Sequence, residues 1–472
     1  MRHYLALLPE LLVVVGGLVA LARARLPERA VAFVPFVAFL CAAVAFALEL
    51  WLGAELVAWA RDTLTQDRFA LFAKGAILLG LSLWVAASGW DETSDLRSLP
   101  LGFLAALGGM IAASAAVLPV LWLGLLLGVG AVTLPLALDP ARRRGGPLVS
   151  AVLGLLVAGV GFALLGVTFH TWRLSTLATA LPRTPTSVGG GVLAIVALSG
   201  TLLPVLALAL AGRDEEAALA EPGARRGART VASPLLVGLL AGPVVATCLV
   251  VAAKLAGGVF LAGSVWGPYL ALLAVGVTLL GSIAALAARS VRGLAAWLVV
   301  GQTGWVLAGL AVHDRMGTGG ALFLLGGLVV GGSVAPLLAA GLDGPRAVLA
   351  GLGHRQPARS LALSIALLSL AGAPPAAGFF GLVVVGEPLY TGGVPWLLAA
   401  VLLGVGLSTW AVLRVLLLIW IEGEGEERRR VVPAGWALGA LLAAACLLAY
   451  CVFAYPIDGL AMQGAEALGL LH

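Results

Sequence analysis

Between Val231 and Trp266 the chain carries a single charged side chain, Lys254. That stretch is longer than the roughly 20 residues a helix needs to cross a bilayer core. Apolar runs of similar length recur along the whole sequence, separated by short polar joints. In hydrocarbon every backbone N–H and C=O must be paired within the protein, which leaves helices or closed barrels. Barrel strands would alternate apolar and polar residues over short segments, whereas these runs are continuous, so they read as helices. Composition agrees: 61% of residues are hydrophobic and 11% charged, against about 45–50% and about 25% in a soluble domain. A soluble enzyme, a disordered chain and a disulfide scaffold are thereby excluded.

The expected fold is an all-α polytopic membrane protein of about 14 spans. These fall near residues 4–22, 30–52, 69–89, 99–117, 118–138, 147–169, 188–211, 233–260, 265–288, 294–312, 319–341, 359–386, 394–421 and 432–455. Pro119 marks the turn between the nearly fused fourth and fifth. The mixed polar stretch from Glu49 to Lys74 reads as an interfacial loop, and Arg213 to Thr230 as a solvated cytoplasmic one. The N-terminal apolar run lacks a convincing cleavage site and reads as a first span.

Loops after odd-numbered spans hold nineteen Lys and Arg, the opposite loops seven. The positive-inside rule then puts the odd loops in the cytoplasm and both termini outside. The net charge of +5 comes from such scattered arginines and gives no nucleic-acid signal. Cys41, Cys248, Cys446 and Cys451 lie in apolar runs without metal-ligand spacing and read as small hydrophobes. The chain has no glycine fingerprint after a strand, no P-loop and no cysteine cluster, so no nucleotide, haem, iron–sulfur or metal site of its own is expected.

Several motifs occur together and in order. Gly351-Leu-Gly-His-Arg-Gln-Pro357 precedes Ser369-Leu-Ala-Gly-Ala-Pro-Pro-Ala-Ala-Gly-Phe-Phe-Gly381. Upstream stand Gly281-Ser-Ile-Ala-Ala-Leu, Ser290-Val-Arg-Gly-Leu-Ala-Ala-Trp297 and Gly301-Gln-Thr-Gly-Trp305; downstream is Ser408-Thr-Trp-Ala-Val-Leu-Arg414. With Leu8-Pro-Glu10 and Ala252-Ala-Lys254, these stretches resemble the antiporter-like, proton-channel subunits of respiratory complex I, most closely subunit N of bacterial NADH:quinone oxidoreductase.

The resemblance implies two inverted five-helix repeats, spans four to eight and nine to thirteen, each with a broken helix. It divides the chain into peripheral helices (1–98), a first repeat (99–262), a second repeat (263–421) and a C-terminal helix and tail (422–472). It also implies a second antiporter-like subunit and small membrane subunits as partners in a hetero-oligomer, with quinone, flavin and iron–sulfur centres held by other subunits. The expected location is a bacterial inner membrane. Interior prolines in the seventh and twelfth spans, Pro204 and Pro374-Pro375 with Gly378, fit the paired interruptions that mark transport sites.

The chain has two lysines, Lys74 and Lys254, and 26 arginines. A buried lysine can release its proton; an arginine cannot. Lys254 also matches a position in the family's central proton path, which makes it the leading proton-path candidate. Arg292 takes the place of a family lysine, and Arg414 matches a family arginine. Glu387 follows the expected break, while His170 and His313 fall at span ends. Lys74 lies near an expected interface, where a lysine can snorkel.

Departures from the family are equally specific. Leu126 stands where the fifth span of the family has glutamate, and Leu382 where the broken twelfth helix has lysine. No lysine accompanies Pro204, and no carboxylate falls inside an expected span from the fourth to the eleventh. The expected function is a membrane-arm subunit of a complex I-type assembly with a degenerate channel and reduced or lost pumping. The alternatives are a cation/proton transporter subunit of a multisubunit antiporter, or a structural membrane subunit.

Overall fold

A computed structural model describes residues 7–26, 33–53, 57–59, 62–88, 98–138, 146–181, 187–220, 234–260, 266–340, 342, 349–421 and 434–469. Helices dominate: α1 (Leu8–Ala22), α2 (Val34–Leu52), α3 (Arg68–Ser88), α4 (Leu99–Ser114), α5 (Leu118–Leu138), α6 (Gly146–Thr168), a short α7 (Leu174–Ala180) and α8 (Ser187–Ala220) make up the first half. The second half holds α9 (Pro234–Val259), α10 (Trp266–Ala287), α11 (Val291–Ala311), α12 (Arg315–Leu338), a short α13 (Leu352–Arg355), α14 (Pro357–Ala371), α15 (Ala377–Thr391), α16 (Pro395–Trp420), α17 (Ala434–Val452) and α18 (Ala454–Gly469). One hairpin, β1 (Val57–Trp59) with β2 (Leu64–Gln66), is the exception. Proline in the first turn of α1, α2, α4, α14 and α16 sets their starts, where a missing N–H costs no hydrogen bond.

Ten described helices are long and apolar enough to cross a membrane, or up to eleven if the bent α17–α18 pair is one span. The expectation of about fourteen is therefore not met by length and composition alone. The shortfall has a local cause: α1 and α4 are short apolar helices, and the expected twelfth span is divided into α14 and α15. The fourteenth expected span ends at a 76° bend, after which the expected tail continues as α18. The expected loop from Arg213 is helical as far as Ala220, while 221–230, Arg142–Arg144 and Arg428–Arg430 lie outside the described residues.

Burial sorts the helices into layers. α9 and α12 are buried along their whole apolar windows, and α11 nearly so. α2, α10 and α16 have most of their windows uncovered, with Leu40, Leu272, Leu403 and Trp410 projecting outward. An apolar periphery around an apolar core is the arrangement a bilayer solvent selects, since burying Leu against Leu gains little there over burying it in lipid. Close approach between helices then does the work. α4 and α5 touch through Gly108, where an added Cβ would stand 2.6 Å from the Gly124 carbonyl oxygen.

The hairpin closes one end of this bundle. β2 is bridged through Leu64 to Ala115 after α4, and Val117 before α5 is bridged to Arg173 before α7. The ends of α4, α5 and α7 are thus tied into one cap under which α3 and α9 run.

Candidate functional site

Lys254 opens the last, π-helical turn of α9 (Lys254–Val259). A second π-turn, Leu240–Val244, holds Pro243 in the same helix. π-turns widen the helix and leave carbonyls without their usual partners, so they recur at functional positions. The Lys254 side chain is 2% exposed. Its ammonium donates to the Ala115 carbonyl at 2.5 Å and stands 5.7 Å from the centroid of the Phe69 ring. Ala115 lies between the end of α4 and the start of α5. The amine therefore sits at the hairpin-capped end of the bundle.

It does not snorkel outward to the periphery. It lines a cleft of about 140 Å³ together with Asp62, Thr65, Asp67, Arg173 and Ser175. Arg173 and Asp62, both exposed, approach to 3.8 Å at its rim.

A second polar group was not legible in the sequence. Lys74, expected at an interface, is fully buried inside α3 and donates to Glu10 of α1 at 2.5 Å. It also donates to the Gln66 side-chain oxygen at 2.6 Å. The Gln66 amide in turn donates to Glu49 at the end of α2, at 2.5 Å. Glu49 is 0% exposed, so the stretch from Glu49 to Lys74 is only partly the loop expected of it. The second oxygens of Glu10 and Glu49 have no protein partner. The one available signal was Leu8-Pro-Glu10, but nothing in a sequence pairs that acid with a lysine 64 positions on.

Of the remaining candidates only His313 meets the turn that carries Lys254, through the Ala256 backbone. Arg292 is buried in the first turn of α11. Arg414 is exposed on α16 and donates to the Leu286 carbonyl of α10 at 2.9 Å, which pins those helices together. Glu387 is exposed, and it lies inside α15 rather than in a loop. His170, also exposed, and His313, partly buried, both occupy left-handed turns, with φ of 52°.

The two expected breaks differ. Pro374 and Pro375 separate α14 from α15, and Gly378 packs directly on the Ser369 carbonyl across the gap. Pro204, by contrast, sits inside a continuous α8. Its ring is received by Gly154 of α6, where a Cβ would lie 2.6 Å from the proline Cδ. A groove in a neighbouring helix absorbs the ring, so the expected interruption does not form; the interruption before residue 260 is at Pro243 instead.

Beside the α14–α15 break, α11 presents Gln302 and Trp305. Both amide atoms of Gln302, Trp305 Nε1 and Ser369 Oγ lack protein partners. Ser408 donates to Ser282 at 3.0 Å between α16 and α10. The interior of the second half is thus polar but uncharged here. Leu126 is half-buried on α5 and Leu382 is buried on α15, and neither can hold a proton.

Membrane-length helices interrupted at the core define an integral membrane protein of antiporter-like build. Residues 228–408 match the family described as NADH:quinone oxidoreductase/Mrp antiporter, TM. The chain resembles subunit N of bacterial NADH-quinone oxidoreductase. It is 29% identical to subunit N 1 of Sorangium cellulosum over 419 residues, covering 82% of this chain and 80% of that one. In fold it is similar to a chain of Thermus thermophilus respiratory complex I, with a TM-score of 0.70 and 22% identity over 96% of this chain and 98% of that one. It is similar also to a chain of an archaeal membrane-bound sulfane sulfur reductase, with a TM-score of 0.76 and 18% identity over 98% and 97%.

Proposed function

We propose that this chain is a membrane-arm subunit of a complex I-type, ion-translocating redox assembly, with a degenerate proton channel and reduced or lost pumping of its own. The observation that carries the reading is the pair Leu126 and Leu382: the family's acid and lysine positions hold alkyl side chains, and no pKa shift can make leucine a proton carrier. Fourteen crossings, both termini outside and two inverted repeats spanning residues 99–262 and 263–421 belong to the same reading. So do location in a bacterial inner membrane, and partnership with a second antiporter-like subunit and small membrane subunits.

Flavin, iron–sulfur and quinone chemistry then belongs to partners, and this chain supplies scaffold and polar groups. Lys254 is its one titrating candidate on the family path. Lys254→Arg keeps the charge but cannot release a proton, and Lys254→Leu removes both. Both variants should lower the proton-to-electron ratio of the assembled complex if Lys254 titrates. If neither changes the ratio, the chain is scaffold alone.

The family description also names Mrp antiporters, which supports a second reading as a subunit of a multisubunit cation/proton antiporter. Purification from native membranes separates the two. Flavin and iron–sulfur subunits in the isolate support the first; cation-coupled proton flux without redox centres supports the second.

A further inference from the structure

We propose that Glu49, bridged through Gln66 and Lys74 to Glu10, is a proton-holding site in the three N-terminal helices, outside both proposed repeats. Three ionisable side chains from α1, α2 and α3 meet in space closed to solvent on Glu49 and Lys74. With all three ionised, the group would carry one uncompensated negative charge. An unpaired buried charge is costly, and a carboxylic acid avoids it by keeping its proton. The contacts identify which acid does so. The Lys74 ammonium binds Glu10, whereas the donor to Glu49 is the neutral Gln66 amide. Among the described residues, Glu10 from α1 and Lys74 from α3 face Glu49; α4 contributes no ionisable side chain, and Arg68 is at the exposed start of α3.

The hairpin gives the site a route to water. Side chains alternate along a strand. In β2, Gln66 points into the buried group, while its neighbour Thr65 lines the cleft with Asp67 and Lys254. One strand therefore separates the acid from the cleft. For exchange, the Glu49 O–H must break and its proton cross β2 to be accepted by water in the cleft. The carboxylate left behind keeps the Gln66 amide as its donor and shares the single Lys74 charge with Glu10, so the protonated form is restored readily. The N-terminal helices in this way supply a buried acid to a chain that has Leu126 where the resembling family has a glutamate.

Infrared spectroscopy of the full-length chain in lipid nanodiscs tests this. At neutral pH the wild type should show a protonated-carboxyl C=O band that shifts on H/D exchange, Glu49→Gln should lose it, and Glu10→Gln, which frees Lys74 to compensate Glu49, should weaken it. Lys254→Leu should leave the band in place. A wild-type spectrum without the band overturns the proposal, as does a band that survives in Glu49→Gln. Should that variant fail to assemble, wild-type protein labelled with 13C-glutamate decides alone: a protonated band that moves with the label supports the site, and an unmoved or absent band overturns it.

Discussion

Lys74 and Glu10 form a 2.5 Å ion pair between α3 and α1, the lysine fully buried and the acid nearly so. Lys254 differs: its ammonium is buried against a neutral carbonyl, with a cleft beside it. The two lysines should therefore respond differently to loss of charge. Removing one partner of a buried pair typically costs about 3–5 kcal/mol, because the other charge stays behind. Removing a donor from a carbonyl that cleft water can reach costs about 1 kcal/mol. Lys74→Leu should lower the thermal midpoint of the purified chain far more than Lys254→Leu, and Lys74→Leu with Glu10→Leu should recover much of the loss. Equal effects of the two single changes would contradict the assigned environments.

His313 provides a pH test outside the spans. It joins α11 to α12 in a left-handed turn, and burial lowers its pKa while a hydrogen bond to the Ala256 backbone opposes the shift. Because the folded-state pKa lies below the unfolded value of about 6.5, the unfolded chain binds more protons as pH falls through that region. Stability should thus be intact above about pH 7 and decline as the solution is acidified through the unfolded pKa. His313→Asn, which tolerates the same backbone region, should show a smaller drop in thermal midpoint between neutral and mildly acidic buffer. A drop as large as in the wild type would assign the acid sensitivity to other groups.

At the α14–α15 break, Gly378 faces the Ser369 carbonyl with no room for a methyl group. That contact brings the start of α15 against the end of α14, since one helix stops at Ala371 and the next begins at Ala377. Gly378→Ala should displace the start of α15 and destabilise the chain by about 1–3 kcal/mol, the usual cost of overpacking. Gly386→Ala on the same helix, where the nearest atom is an ordinary contact at 3.6 Å, serves as the control. Matching melting temperatures for the two variants would refute the close approach.

Sequence and structure part company where tertiary partners decide. Apolar run length placed α5, α8, α9 and α12 within a few residues of their observed ends, apart from the C-terminal extension of α8, because a bilayer-crossing helix writes its length directly into composition. The lone charge at Lys254 was visible for the same reason. Its depth was not, since depth depends on where α4 and α5 meet. Pro204 illustrates a second limit: proline announces a lost hydrogen bond, but whether the helix breaks depends on a groove such as Gly154 offers. Glu10, Glu49 and Lys74 illustrate a third. Each lies near the end of an apolar run, where a charge reads as interfacial, and only the packing of three helices turns them into a buried group.

The glycine contact between α4 and α5 is the most exacting of these packing relationships. Gly108 and Gly124 bring two backbones together, with the Gly124 site itself 2.6 Å from the Ala112 nitrogen if a Cβ were added. In a membrane, helices associate through such close van der Waals approach because lipid offers apolar side chains the same environment as the protein does. A β-branched side chain at Gly108 cannot be relieved by a rotamer change, since it meets backbone. Gly108→Val should push α4 and α5 apart, loosening the Leu64–Ala115 bridge and the Ala115 carbonyl that binds Lys254. A loss of about 1–3 kcal/mol is expected from overpacking, together with faster labelling of a cysteine introduced at Thr65 on the cleft wall. Gly130→Val on the outer part of α5, where a Cβ meets open space, should change neither quantity; if it matches Gly108→Val in both, the α4–α5 contact is not what holds the cap over Lys254.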